Sequence, residues 1–432
     1  MPGYVKALCC VALLTGAVLW TGCSRKSEPP IDSEIWSEIQ RIHAIDNHAH
    51  PVRVVQNGPA DREFDALPVD HLEPSSDPLN MRPNAPVVLE AAKSLYGSAG
   101  GKATVMREKG DSYPAWVLDQ MGVDIMLANR VALGTSIEPP RFRWVPYADA
   151  LIFPLDNSHL AQQNPDRKAF FPLEDVLRTR YLDESGLKAL PATLSGYLMG
   201  VVTPTLERHK QGGALAEKFE AAYLRSLQFD RVDRSVAERV YAEFASRGTP
   251  LDTEYKALQD YLFRYIAAEC GRLGMAVHLH VDAGGGSYFD VAGTNPLLLE
   301  SVLEDPELRK TNFVMIHGGW PFTREITSLL VKPNAYLDFS AQDLVLSPAT
   351  LAADIRRWLE WVPEKVMFGT DAYPYSDQMG WEESGWIGAR DGRQALAIAL
   401  TGMLRDGEIS RGRATDLARM VLRENARQLY GL

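Results

Sequence analysis

The chain has 432 residues, with 56 acidic against 45 basic side chains and a net charge of −11. That balance, with no basic run to offset it, excludes nucleic acid as a natural partner. Hydrophobic residues make up 46% of the sequence, enough for a buried core, and the four cysteines give no disulfide framework.

The first segment reads as a targeting signal, expected to lie outside the fold. Met1–Gly22 carries one basic residue, Lys6, then an apolar stretch from Ala7 to Trp20 that is too short to span a bilayer. It ends in Leu19-Trp20-Thr21-Gly22-Cys23, which resembles a bacterial lipobox, with Trp20 where Leu is usual. Residues 1–22 are therefore expected to be a lipoprotein signal peptide, with Cys23 lipidated. Residues 23–34, beginning Ser-Arg-Lys-Ser-Glu-Pro-Pro after Cys23, are expected to be a flexible tether, and 35–432 the folded domain. This predicts a protein of the bacterial cell envelope, held to the membrane by its N-terminal lipid and facing the periplasm or exterior. Cys9 and Cys10 leave with the signal and Cys270 is then alone, so stability must come from a core.

Beyond the tether, apolar strands alternate with amphipathic helices. Ile42–Asn47 reads as the first strand. Residues 51–114, rich in Pro, Asp, Asn and Gly, read as a long insertion with one helix near Pro86–Leu95. A helix ending at Met121 precedes a second strand, Val123–Ala128, and Ala148–Phe153 reads as the third. A mainly helical stretch over 173–212 leads to a weak fourth strand within Ala214–Tyr223. A helix over Asp252–Leu273, capped by Gly274, precedes the fifth strand, Met275–Val281. Asn312–Ile316, Ala335–Phe339 and Val366–Phe368 complete the set, with helices at 297–308, 349–361 and 393–430. Eight strands with mostly helical crossovers predict an α/β fold, a (β/α)₈ TIM barrel with long loop insertions. Barrels with insertions accommodate the roughly 400 residues beyond the signal as one domain.

The active site of such a barrel lies at the C-terminal ends of its strands. His48 and His50 end the first strand two residues apart and so share a face. His280, His317 and Asp371 end later strands. Imidazole and carboxylate together suit a divalent cation, expected to be zinc, with a position left for water whose pKa falls to about 7. Asp371 can bind through one oxygen and take the water's proton through the other. His278 shares a face with His280 but lies one layer deeper, as a packing or supporting residue. Asp338 is placed to fix a ligand imidazole through its other nitrogen. Asp46 reads as a loop cap. Trp320 and Tyr373, together with Phe322 and Tyr375, lie just past ligand positions, where Trp320 and Tyr373 are the candidates for substrate contact.

The ordered set resembles the amidohydrolase superfamily, and more closely the amidohydrolase-related branch that includes nodulin-like proteins and decarboxylases. The carriers are His48-Ala49-His50, Gly274–His280 against "Gly-Leu-Pro-Val-x-x-His", Phe313–Pro321 against "Val-x-x-His-Gly-Gly-x-Pro", and the Gly-Thr-Asp ending at Asp371. Lys218–Tyr223 matches "Lys-x-x-Ala-Ala-Tyr-Arg", except that Arg225 falls one residue late. The likeness runs from about residue 42 onward and is densest over 214–374. It implies a metal-dependent hydrolase acting on an amide, lactone or ester carbon, with Asp371 as general base and then acid. In some relatives a carboxylated lysine bridges two ions. Glu217 and Glu220 make Lys218 read equally well as a solvated charge, so one ion is expected and no second. Contact with a substrate carboxylate is the remaining role for Lys218. The alternative reaction is non-oxidative decarboxylation of a small carboxylic acid, and the alternative class is a surface-anchored binding protein without catalysis. Substrate and oligomeric state are not encoded in any motif.

Overall fold

Parallel strands covered by helices must be apolar on both faces, and the strands here are buried almost throughout. A computed structural model describes residues 30–54, 60–67, 77–82, 84–98 and 100–432. The signal segment, Cys23 and the start of the tether lie outside them. The strands are β1 (Ala44–Ala49), β2 (Val123–Asn129), β3 (Phe142–Val145), β4 (Ala216–Phe219), β5 (Ala276–His280), β6 (Phe313–Ile316), β7 (Ala335–Asp338) and β8 (Val366–Met367).

All pairings are parallel, in the runs β1-β2-β3 and β4-β5-β6-β7-β8. Backbone bonds join the two runs at both seams. At one, Lys218 N–H donates to Pro146 O at 2.7 Å and Ala148 N–H to Lys218 O at 2.9 Å. At the other, Asn47 N–H reaches Phe368 O at 3.0 Å, Asp371 N–H reaches His48 O at 2.8 Å, and His50 N–H reaches Ala372 O at 2.8 Å. The sheet thus closes into a (β/α)₈ barrel, as the strand count predicts.

Two apolar cores follow from this closure. Ile45, Leu127, Val145, Ala216, Ala276, Val314, Ile316 and Met367 fill the barrel, where Leu429 and Tyr430 pack against them from the helix Asn425–Tyr430. A larger layer lies between strands and helices, including Phe219, Phe263, Met315 and Leu337. Cys270 is a buried free thiol on the helix Asp252–Leu273. Among the described residues no helix is long and apolar enough to cross a membrane.

Several elements differ from expectation. The run Ala148–Phe153 is not a strand: Asp149–Ile152 forms a helical turn, and β3 lies upstream at Phe142–Val145. Both are short and mainly apolar with one charged residue each, Arg143 and Asp149, so periodicity does not separate them. The expected helical stretch over 173–212 starts earlier, at Pro165, where Asn164 caps the helix, and breaks after Glu184. The expected helix over 393–430 starts at Trp381 and ends at Arg405, with Arg411–Arg419 following. The insertion after β1 carries the helices Pro86–Tyr96 and Lys102–Lys109 and not one alone. Arg130 staples that insertion to β2, donating to both Asp61 oxygens at 2.9 and 3.0 Å and to Pro51 O, with both side chains fully buried.

Ordered contacts begin inside the stretch expected as tether. Asp32 caps the helix Ser33–Arg41, accepting from Glu34 N and Ile35 N, and Arg411 donates to both its oxygens. The Arg411 guanidinium and these caps hold the Asp32 carboxyl down at about 2, against 3.8 ordinarily. A depressed carboxylate stabilises the fold above its unfolded pKa and loses that contribution as pH falls through its folded one. Asp32→Ala is expected to cost about 1 kcal/mol at neutral pH. In urea titrations the difference from wild type should shrink between pH 4 and pH 2. A pH-independent difference would show that packing and not charge is lost.

Candidate metal centre

His48 and His50 share a face, as their spacing predicts: their Nε2 atoms are 3.3 Å apart and their rings meet edge to face. Asp371 comes to them across the β8–β1 seam, with Oδ1 at 3.2 Å from His48 Nε2 and 3.5 Å from His50 Nε2. One donor atom from each of the three falls within a 4.8 Å sphere of the others, a spacing that suits one ion. The His317 ring lies 4.9 Å from that of His48 and 4.7 Å from that of His280. The five candidate donors from β1, β5, β6 and β8 therefore meet at one end of the barrel.

Metal ligands need a free lone pair and a partner on the opposite ring nitrogen. The four imidazoles have such partners. His50 Nδ1 faces Phe64 O at 3.2 Å and the Tyr147 hydroxyl at 3.1 Å. His317 Nδ1 faces Ser340, 3.0 Å from Oγ and 3.2 Å from the carbonyl. His280 Nε2 faces Asp282 O at 3.2 Å, which leaves Nδ1 as its lone-pair nitrogen. His48 Nδ1 lies 2.7 Å from the Asn129 amide, whose Oδ1 has no partner. Turning that amide over gives Nδ1–H an acceptor and leaves the lone pair on Nε2, at the loss of the 3.3 Å bond from Asn129 Nδ2 to Ala49 O.

Electrostatics keep these groups in the coordinating state. Burial, with the Lys218 charge next, holds His48 well below the ordinary imidazole range, and His280 falls to about 3 for the same reasons. Burial also lowers His50 and pushes His317 well down. Burial works to raise Asp371, but its surroundings of His317, His50, Lys218 and the Tyr375 hydroxyl, 2.9 Å from Oδ2, bring it below the usual carboxylate range; with the imidazoles neutral, Lys218 and Tyr375 are the groups that hold it there. Neutral imidazoles and an ionised carboxylate are the donor set a divalent cation requires. His317 and Asp371 both have left-handed backbones, with φ of 71° and 52°. Gly318 follows at φ 58°, where a Cβ would lie 2.6 Å from Gln342 Nε2.

Lys218 corrects the reading of a solvated charge. It lies on β4 at 1% exposure, pointing inward, with Nζ 3.3 Å from His48 Nε2. Glu217 points the other way to pair with buried His209 at 3.0 Å. Glu220 N–H donates to Asp149. Behind Lys218, burial raises Asp149 to about 7 and Glu174 and Glu220 well above the usual range. Arg225 is turned away, held by Asp260 at 2.6 Å and by Gln259.

The supporting residues fall partly where expected. His278 lies one layer deeper, its Nε2 2.7 Å from the Tyr430 hydroxyl. Asp338 touches the His317 backbone N–H and Ser340, and Ser340, not Asp338, meets the ring nitrogen. Asp46 caps backbone at two strand ends: fully buried and raised to about 7 by that burial, it accepts from His48 N–H two residues on and, across the seam, from Thr370 N–H and Oγ1. The Tyr373 ring packs on His50 at 5.2 Å. Trp320 is half-buried, and its carbonyl accepts from Ala283 N–H, tying the loops after β5 and β6. Asn129, Tyr147 and Ser340 carry no sequence signal, being single polar residues. Tyr223, whose ring lies 4.7 Å from that of His280, was visible only as part of a motif.

Residues 196–432 match the amidohydrolase family, which is more than half of the chain. The chain belongs to the amidohydrolase family. Protein fluG of Emericella nidulans is 28% identical over 211 residues, which are 47% of this chain and 23% of fluG. The chain thus spans under a quarter of that relative's length. Among solved structures, a protein of Lactobacillus casei ATCC 334 designated a candidate metal-dependent hydrolase superposes with a TM-score of 0.67 at 16% identity, covering 93% of this chain and 98% of that one. Glucuronate isomerase from Caulobacter crescentus superposes with a TM-score of 0.62 at 11% identity, covering 92% and 93%. At these identities the likeness concerns the fold.

If Asn129 orients His48 as the geometry indicates, Asn129→Leu should weaken Zn²⁺ binding by roughly 10- to 100-fold. Competition against a chromogenic chelator measures this directly, and unchanged affinity would remove Asn129 from the site.

Proposed function

We propose that this family member is a metal-dependent hydrolase that attacks an amide, lactone or ester carbon of a small molecule. The observation that carries the reading is Asp371, held ionised with Oδ1 against two imidazoles and Oδ2 on Tyr375. His48, His50, His280, His317 and Asp371 would hold one divalent ion, for which we take zinc. When bound, that ion supplies Lewis acidity and lowers the pKa of a water towards about 7.

The chain's own groups then divide the remaining work. Asp371 takes the attacking water's proton at a carboxylate oxygen and returns it to the leaving group. Tyr375 keeps that carboxylate in place through Oδ2. Tyr373 and Tyr223, packed on His50 and His280, bound the space in which a substrate carbonyl sits, and we assign Tyr373 and Trp320 to substrate contact. Lys218 Nζ lies among the donors, 3.3 Å from His48 Nε2, so we assign it to the electrostatics of His48 and its neighbours. A lipid on Cys23, placing the enzyme at a bacterial cell envelope, completes the proposal from the lipobox-like sequence.

The test uses purified protein with Zn²⁺ and a panel of lactones, esters, amides and aromatic acids. Ring-opened or cleaved acids are expected, and Asp371→Asn should lower kcat by about 10²- to 10⁴-fold. Release of CO₂ from an aromatic acid, with no hydrolysis across the panel, would replace this reaction with decarboxylation.

A further inference from the structure

One column of hydrogen bonds runs from the bottom of the barrel to the metal centre, and every link in it has a fixed direction. Tyr430, on the helix Asn425–Tyr430, donates its hydroxyl proton to Asn47 Oδ1 at 2.5 Å. That hydroxyl therefore accepts from His278 Nε2–H, 2.7 Å away. With its oxygen turned down to Tyr430, the Asn47 amide can only present Nδ2, which donates to Asp338 Oδ2 at 2.5 Å. Asp338 Oδ1 accepts from His317 N–H at 3.0 Å, Ser340 N–H at 3.1 Å and Ser340 Oγ–H at 2.6 Å. Since Ser340 spends its proton on Asp338, it must accept from His317 Nδ1–H at 3.0 Å. The lone pair of His317 is then on Nε2, the nitrogen left for the site.

We infer that Tyr430 is a positioning residue for the metal centre, acting through Asn47 and Asp338 to fix the backbone and tautomer of His317. The inference rests on the metal-site reading above. The rest of Tyr430 belongs to the barrel core with Leu429, Tyr336 and Met367, so hydroxyl and ring have separable roles. Without the hydroxyl, Asn47 Oδ1 becomes a buried acceptor with no partner, and the amide loses the anchor that holds its Nδ2 against Asp338 Oδ2. His278 would then keep a buried donor without an acceptor, beside an Nδ1 that already lacks a partner.

Tyr430→Phe retains the ring and removes the hydroxyl, and Leu429→Ala perturbs the same core without touching the column. Zn²⁺ affinity by chelator competition and the thermal midpoint of the metal-stripped protein are measured for both. Tyr430→Phe should weaken Zn²⁺ binding at least tenfold, whereas Leu429→Ala should lower the midpoint and leave affinity within twofold. In an Asp338→Asn background, Tyr430→Phe should add less than a further twofold, because its path is already cut. Wild-type affinity in Tyr430→Phe, equal weakening in Leu429→Ala, or full additivity with Asp338→Asn would each overturn the inference alone. A wild-type protein that binds no Zn²⁺ would overturn the metal reading and this inference with it.

Discussion

The bond from Asp371 N–H to His48 O closes the barrel and composes the site in one step. β1 and β8 are far apart in sequence, and β8 is only two residues long. Without that seam the carboxylate and the His-x-His pair would belong to opposite edges of an open sheet. With it, the Asp371 main chain is pinned to that of His48, and the Tyr375 hydroxyl on Oδ2 leaves Oδ1 turned to the imidazoles. The neighbouring bonds at Asn47 and His50 repeat the restraint on either side. Thr370 adds a second tie by donating to Asp46. Closure is therefore what the chemistry depends on more than any single side chain.

A second theme is the separation of charge by parity along β4. Successive residues face opposite sides of a strand. Glu217 meets His209 outside the barrel, where Trp144 and Tyr181 enclose the pair. Lys218 faces inward against His48. One acidic and one basic residue, adjacent in sequence, thus serve unrelated structures. Burial raises Asp46 and Asp149 to about 7, whereas Asp371, the one carboxylate among the candidate donors, is held below the usual carboxylate range.

The barrel and its donor residues were legible because they follow apolar runs that a strand register turns into faces. His48-x-His50, His280, His317 and Asp371 each end such a run, and the structure gathers them. The misplaced third strand has one cause: a short, mainly apolar stretch of four to six residues looks the same as strand or buried turn. That is why Ala148–Phe153 displaced Phe142–Val145. Lys218 was obscured differently, since a charged triplet in sequence suggests solvent, and only the strand assignment sends its members apart. Asn129, Tyr147, Ser340 and Tyr430 act through distances set by tertiary packing. Nothing local distinguishes them from other polar residues.

The left-handed backbones of His317 and Asp371 have a further consequence. Each costs on the order of 1 kcal/mol relative to ordinary strand geometry. Glycine would relieve that strain, but it would delete the donor it relieves. These two positions are therefore closed to the usual routes of stabilisation: any change that eases the main chain removes the chemistry. Added stability in this barrel has to be found elsewhere, in caps such as Asp32 or in the outer layer, while the two strand ends stay strained.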